Sequence, residues 1–178
     1  MNLYLRLLKL LVLLPFVPRR DPFAESRIAF RVWPNDCDLN LHMNNGRYLT
    51  LMDLGRVHFV AQTGLLRHLF RRRWRPVMSA VDVNFVRALR PFQKFEVVTR
   101  LLTWDEKYFY AEHRIESGEA LYAIATTRGL FVQGRRTVPT EEVLRALGVD
   151  SAPPPMPAVV RHWRELTALK REHSARLS

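Results

Sequence analysis

The chain has 178 residues, 48% of them hydrophobic and 25% charged, which suits one buried core and leaves too little for two. Its single cysteine, Cys37, excludes an intrachain disulfide and a thiolate metal cluster, so a reducing, cytoplasmic location is the expectation. The formal charge of +11 is mostly arginine, whose planar donor fork suits phosphates. Anionic partners are therefore expected, and nucleic acid is not among them, because no nucleic-acid-binding motif accompanies the charge.

Residues 3–17 are strongly apolar, interrupted by Arg6 and Lys9 and followed by Pro18 and Arg19-Arg20. The run is shorter than the ~20 residues a spanning helix needs and has no small-residue cleavage site after it. It reads as an extension that either lies on a membrane surface or packs on the protein itself. Residues 26–33 then alternate, with Ile28, Phe30 and Val32 against Arg27 and Arg31, the period of a half-buried strand, and Pro34 ends it. Residues 48–70 lack proline and are apolar on most of the circumference, which predicts one buried helix, with Gly55 permitting close approach of a sheet.

Four strand-like runs follow, 77–86, 95–104, 108–115 and 121–132, separated by turn signals at Arg90-Pro91, Asp105-Glu106-Lys107 and Ser117-Gly118-Glu119; the last two are short enough for hairpins. The clusters Arg71-Arg72-Arg73 and Arg135-Arg136 sit at segment ends and read as solvated turns. Beyond Gly134, a short helix opens at Pro139 or Thr140 and stops at Gly148. The stiff linker "SAPPPMP" leads to a charged helix over 158–177. One early helix and five strands in a meander predict an α+β domain, an antiparallel sheet that buries one face by curling round the helix. The expected organisation is an extension over 1–25, a domain over 26–136 and a helical tail over 137–178.

Just ahead of the helix lies "DCDLNLHMNN", residues 36–45. A helix beginning near Met43 or Asn44 directs unpaired N–H groups and the positive end of its dipole toward the preceding loop, which carries Asp38 and His42. A carboxylate and a set of free N–H donors suit attack on an acyl carbon, the donors polarising the carbonyl. Asp36 and Cys37 read as bystanders in the turn. A metal site from Asp36, Asp38 and His42 has no second histidine or carboxylate cluster to complete it, so no metal is expected.

The segment "DCDLNLHMNNGRYLTLMDLGR", following a strand and entering a long apolar helix, resembles the signature of hotdog-fold acyl-CoA thioesterases, in particular the 4-hydroxybenzoyl-CoA thioesterase-like branch. Asp38, His42, Asn44, Asn45, Tyr48, Asp53 and Arg56 match that pattern in order and spacing, and the likeness runs loosely over 26–134. The resemblance implies a hotdog fold and hydrolysis of an acyl-CoA or acyl-carrier thioester. Asp38 acts in it as nucleophile or general base and the backbone N–H of Asn45 receives the oxyanion. An ordinary aspartate pKa of ~3.9 favours direct attack over base catalysis. His42, Asn44 and Tyr48 would position substrate, although Asn44 also suits a helix cap and Tyr48 the core. Asp53 and Arg56, three residues apart, would pair at a subunit contact.

The resemblance also implies a homodimer with its sheets joined edge to edge, and no cofactor besides coenzyme A within the substrate. Arg87, Arg90, Lys94 and Arg135 lie near strand ends and are the candidates for meeting the coenzyme A phosphates. Two rival readings remain: a non-catalytic acyl-CoA-binding protein of the same fold, and a membrane-peripheral scaffold that contacts lipid through residues 1–20.

Overall fold

The computed structural model describes residues 3–176. The first helix, α1, Leu3–Leu13, runs into one turn of 3-10 helix over Leu14–Phe16. Strand β1, Ser26–Arg31, leads through a second 3-10 turn, Pro34–Asp36, to α2, Asn45–Gln62. The following helix, α3, Leu66–Arg72, precedes the meander: β2, Arg75–Phe85; β3, Lys94–Trp104; β4, Phe109–Ser117; and β5, Ala120–Gln133. A short β6, Arg136–Val138, then α4, Thr140–Leu147, and α5, Ala158–Ala175, complete the chain. Leu177, at the end of the expected last helix, lies outside the described residues.

All pairings are antiparallel, in the order β1-β3-β4-β5-β2, with β6 beside β5. Two expectations need correction. Among the described residues the sheet has six strands rather than five, because Gly134, at φ 60°, supplies the left-handed turn that folds β6 back onto β5. The single helix expected over 48–70 is two: Thr63 ends α2 and Gly64, at φ 76°, breaks it, so α3 leaves in a new direction.

The sheet curls round α2, the hotdog arrangement, with Leu51 and Met52 buried against Val97, Ile115, Ala123 and Ala125 in one cluster. Gly55 sets the closeness of this packing, since a Cβ there would stand 2.6 Å from Val97 Cγ1. The outer face of the sheet carries an ion-pair network centred on Arg114, which contacts Glu25, Glu112 and Glu116, and α5 covers part of that face through Val160 and Trp163 on Tyr110.

Residues 1–25 were expected either on a membrane or on the protein, and α1 does pack on the protein. Leu10 and Leu14 join the same core as α2, and the Arg6 guanidinium is buried against Asp36 Oδ2 at 2.5 Å and the Arg31 carbonyl at 2.9 Å. No helix among the described residues is long and apolar enough to cross a membrane.

Candidate active site

After β1 the chain doubles back over a few residues. Cys37 and Met43 pair as an isolated antiparallel bridge. Within it, the Asp38 N–H donates to the His42 carbonyl at 3.0 Å and the Leu41 N–H to the Asp38 carbonyl at 3.1 Å. Leu41 takes a left-handed φ of 57°, the place a glycine usually fills in such a hairpin, at a cost of roughly 1–2 kcal/mol. Asp38 Oδ1 accepts the Asn40 N–H at 2.9 Å, an Asx turn. One carboxylate oxygen is thus committed to the loop, and Oδ2 makes no hydrogen bond among the described residues.

The other wall is the head of α2. The Asn44 N–H donates to the Asp36 carbonyl at 2.9 Å, and its side chain accepts the Gly46 N–H at 2.9 Å, the capping use expected of it. The Asn45 N–H is the first of α2 and lies outside the intrahelical ladder. Asp38, His42 and Asn45 line one pocket of about 350 Å³ together with Tyr48, Phe85 and Arg87. A carboxylate and a free helix N-terminal donor around one hollow can attack an acyl carbon and receive the oxyanion that results.

Tyr48 is buried, as expected of a core residue, and forms the floor of this pocket. Its hydroxyl accepts the Leu89 N–H at 3.0 Å and donates to the Arg87 carbonyl at 3.4 Å, and its ring meets Phe85 edge-on at 5.2 Å. Burial pushes the phenol above its ordinary pKa, so it stays protonated at neutral pH. Cys37, the expected bystander, is also held as a thiol: burial and the charges of Asp36 and Asp38 raise it.

Of the four cations proposed for phosphates, Arg87 is at the pocket mouth, and Arg90 and Lys94 are exposed in and after the loop that follows β2. Arg135 is not brought to this pocket within one chain. It follows the end of β5 that pairs with Arg75, whereas the pocket sits at the Phe85–Ala123 end, about 30 Å away at the rise of a strand.

Asp53 and Arg56 form the expected ion pair. Both line a second, apolar cleft of about 530 Å³ between the C-terminal half of α2, α3 and the sheet, walled by Val60, Leu66, Leu69 and Met78. Desolvation pulls Arg56 down to about 10, which leaves it cationic at neutral pH. Beneath it, His113 on β4 is fully buried, with Nδ1 3.0 Å from Thr99 Oγ1 and Nε2 3.1 Å from Thr127 Oγ1. The sequence carried a signal for this residue, since Ala111, His113 and Ile115 alternate onto the inner face of β4, but an imidazole among hydroxyls was not anticipated.

Desolvation, aided by the Arg56 charge, lowers His113 to about 3. Unfolded, the same imidazole takes up a proton near ~6.5, so the unfolded chain binds the extra proton between those values and stability is lost as pH falls through that window. The expected slope from this group is about 1.4 kcal/mol per pH unit. Urea midpoints measured between pH 7 and pH 4 should show that slope in the wild type and its loss in His113→Gln.

A curled antiparallel sheet with a carboxylate loop at the head of its central helix defines a protein of the hotdog class. A model of the thioesterase-like superfamily matches residues 32–164, and the chain belongs to that superfamily. Protein THEM6 of Xenopus laevis is 37% identical over 95 residues, covering 53% of this chain and 46% of that protein. The probable thioesterase YBR096W of Saccharomyces cerevisiae is 28% identical over 131 residues, 71% of this chain and 56% of that one. The chain thus spans about half the length of the curated relatives it matches. Among solved structures, protein SAV2348 of Staphylococcus aureus, in complex with CoA, shares the fold with a TM-score of 0.63 at 14% identity, covering 72% of this chain and 84% of that one.

Proposed function

We propose that the protein hydrolyses acyl-CoA thioesters. The observation that carries this reading is that Asp38 and Asn45, the first residue of α2, line one pocket. The carbonyl oxygen of the thioester is held by the Asn45 N–H; either Asp38 attacks the carbonyl carbon, expelling the coenzyme A thiolate and leaving a mixed anhydride that water hydrolyses to the free acid and Asp38, or Asp38 takes a proton from the attacking water and returns it to the leaving thiolate. Arg87, Arg90 and Lys94 supply positive charge around the mouth for the phosphates of coenzyme A. Superfamily membership supports the reaction class, and the structural neighbour bound to CoA supports the leaving group.

The working unit in this reading is a homodimer. β2 is an edge strand bearing the exposed side chains Val77, Met78, Val81 and Phe85. Such an edge is a template for pairing, and antiparallel pairing of two β2 strands would bring the pocket of each subunit toward the Asp53–Arg56 cleft of its partner.

A free-thiol release assay over short, long and aromatic acyl-CoAs tests the reaction; no turnover of any acyl-CoA or acyl-carrier substrate would sink it. The oxyanion assignment has its own test in Asn45→Pro. Proline at the first position of a helix removes an N–H that no helical bond uses, and Asn44, at φ −59° and ψ 137°, already has the extended conformation a residue before proline needs. The expected loss in kcat is about 10²–10³-fold with little change in unfolding midpoint, whereas Asn45→Ala, which keeps the N–H, should stay near wild type.

A further inference from the structure

α1 and the turn after it are apolar around most of their circumference, interrupted by Arg6 and Lys9, yet the protein covers one stripe only. Arg6, Leu10 and Leu14 are buried, and Leu3, Leu7 and Val17 pack beside the core. On the far side Tyr4 is 76% exposed, Val12 61% and Phe16 80%, with Leu5, Leu8 and Leu11 among them also exposed. Tyr4, Leu8, Leu11 and Val12 recur at helical spacing, so these side chains form one continuous face. A continuous exposed apolar face on a helix that is already packed on its other side marks a contact surface.

The surroundings of the face specify what covers it. Residues 1–20 contain no acid, and Lys9, Arg19 and Arg20 are all exposed. Apolar side chains with a purely basic fringe match a surface of anionic headgroups over acyl chains. At 11 residues, α1 measures about 16 Å, too short to cross such a layer and long enough to lie in its plane. Its opposite stripe is fixed to the domain by Arg6 on Asp36 and on the last carbonyl of β1, so the apolar face points outward in a fixed orientation. β1 and β2 are the two outer strands of the main path of the sheet, so α1 lies by the edge opposite to β2, and pairing through β2 would leave this face open.

We propose that the exposed face of α1 seats the protein on an anionic lipid surface, with Tyr4, Leu8, Leu11, Val12 and Phe16 at the headgroup–acyl boundary and Lys9, Arg19 and Arg20 against lipid phosphates. The inference stands independently of which thioester is hydrolysed. Asp36, the anchor of α1, is two residues from Asp38, so one loop joins the two sites.

Flotation of the full chain with phosphatidylcholine vesicles containing phosphatidylglycerol, and with phosphatidylcholine vesicles alone, tests it. The protein should float with the anionic vesicles. Leu8→Glu/Val12→Glu should lower the bound fraction ~10-fold or more, as should Lys9→Gln/Arg19→Gln/Arg20→Gln, and neither should move the thermal midpoint, since all five side chains are exposed. Wild type that fails to float, or a Leu8→Glu/Val12→Glu protein that floats as well as wild type, overturns the proposal. Equal flotation on neutral vesicles overturns the anionic assignment. Wild type that stays with the soluble fraction as a large assembly, which Leu8→Glu/Val12→Glu breaks up, shows that a second copy covers the face and likewise overturns the proposal.

Discussion

Asp38→Asn is expected to lower thioester turnover by about 10²–10⁴-fold, the usual worth of a positioned acid–base or nucleophilic group, while leaving the loop folded. The substitution separates chemistry from architecture because of how the carboxylate is held. Asn keeps an oxygen that can accept the Asn40 N–H in place of Asp38 Oδ1, so the Asx turn persists. It loses the charge and the lone pair that attack a carbonyl or a water proton. Asp38→Ala loses the turn as well, and so should show both a rate defect and a lower unfolding midpoint. Thiol release and urea denaturation on the two variants decide the matter: full activity in Asp38→Asn removes this carboxylate from the mechanism.

Arg6→Leu should cost about 3–5 kcal/mol of stability, the penalty for removing one partner of a buried ion pair. Both side chains are almost wholly shielded from solvent, at 2% and 3% exposure. Asp36 would keep the Trp33 N–H at 2.8 Å, but its nearest remaining cation, Arg47, stands 4.0 Å away. The alternative for the folded chain is to lift α1 so that water reaches Asp36, which gives up the burial of Leu10 and Leu14; the easier of the two routes caps the loss. Arg6→Leu/Asp36→Leu removes the stranded charge and should recover part of the deficit, though it orphans the Trp33 N–H. Urea midpoints of the two variants and the wild type measure this, and an Arg6→Leu protein as stable as wild type would show that the pair contributes nothing.

Much of this was legible in the residues themselves. Alternation over β1, the four strand-like runs that follow α2 and the turn residues between them locate the sheet, while Gly55 marks the close contact with α2. The spacing from Asp38 to Arg56 located the loop and the head of the helix together. What the sequence concealed is long-range. Nothing in the spacing of Arg6 and Asp36, thirty residues apart, distinguishes a buried pair from two solvated charges, so from sequence Asp36 reads as a turn residue. The single helix expected over 48–70 runs through Gly64, as a lone glycine in a helical pattern often permits, but its positive φ turns the chain into α3. Arg135 lies near a strand end like the other cations, but the strand register sets that end away from the pocket of its own chain.

The way α1 is covered also bears on how the chain comes to be folded. Leu10 and Leu14 share their core with Val97, Ile115 and Ala123, which are made roughly a hundred residues later. At typical synthesis speeds of about 5–20 residues per second, several seconds pass in which α1 is complete and the sheet that closes its core does not yet exist. α1 is therefore made well before the sheet that closes over its core, although Asp36, thirty residues on from Arg6, is made before β3 to β5. A leader whose apolar side chains must persist unshielded for that long is exposed to whatever apolar surface lies nearest, and the order of synthesis makes the ribosome's surroundings part of this protein's folding problem.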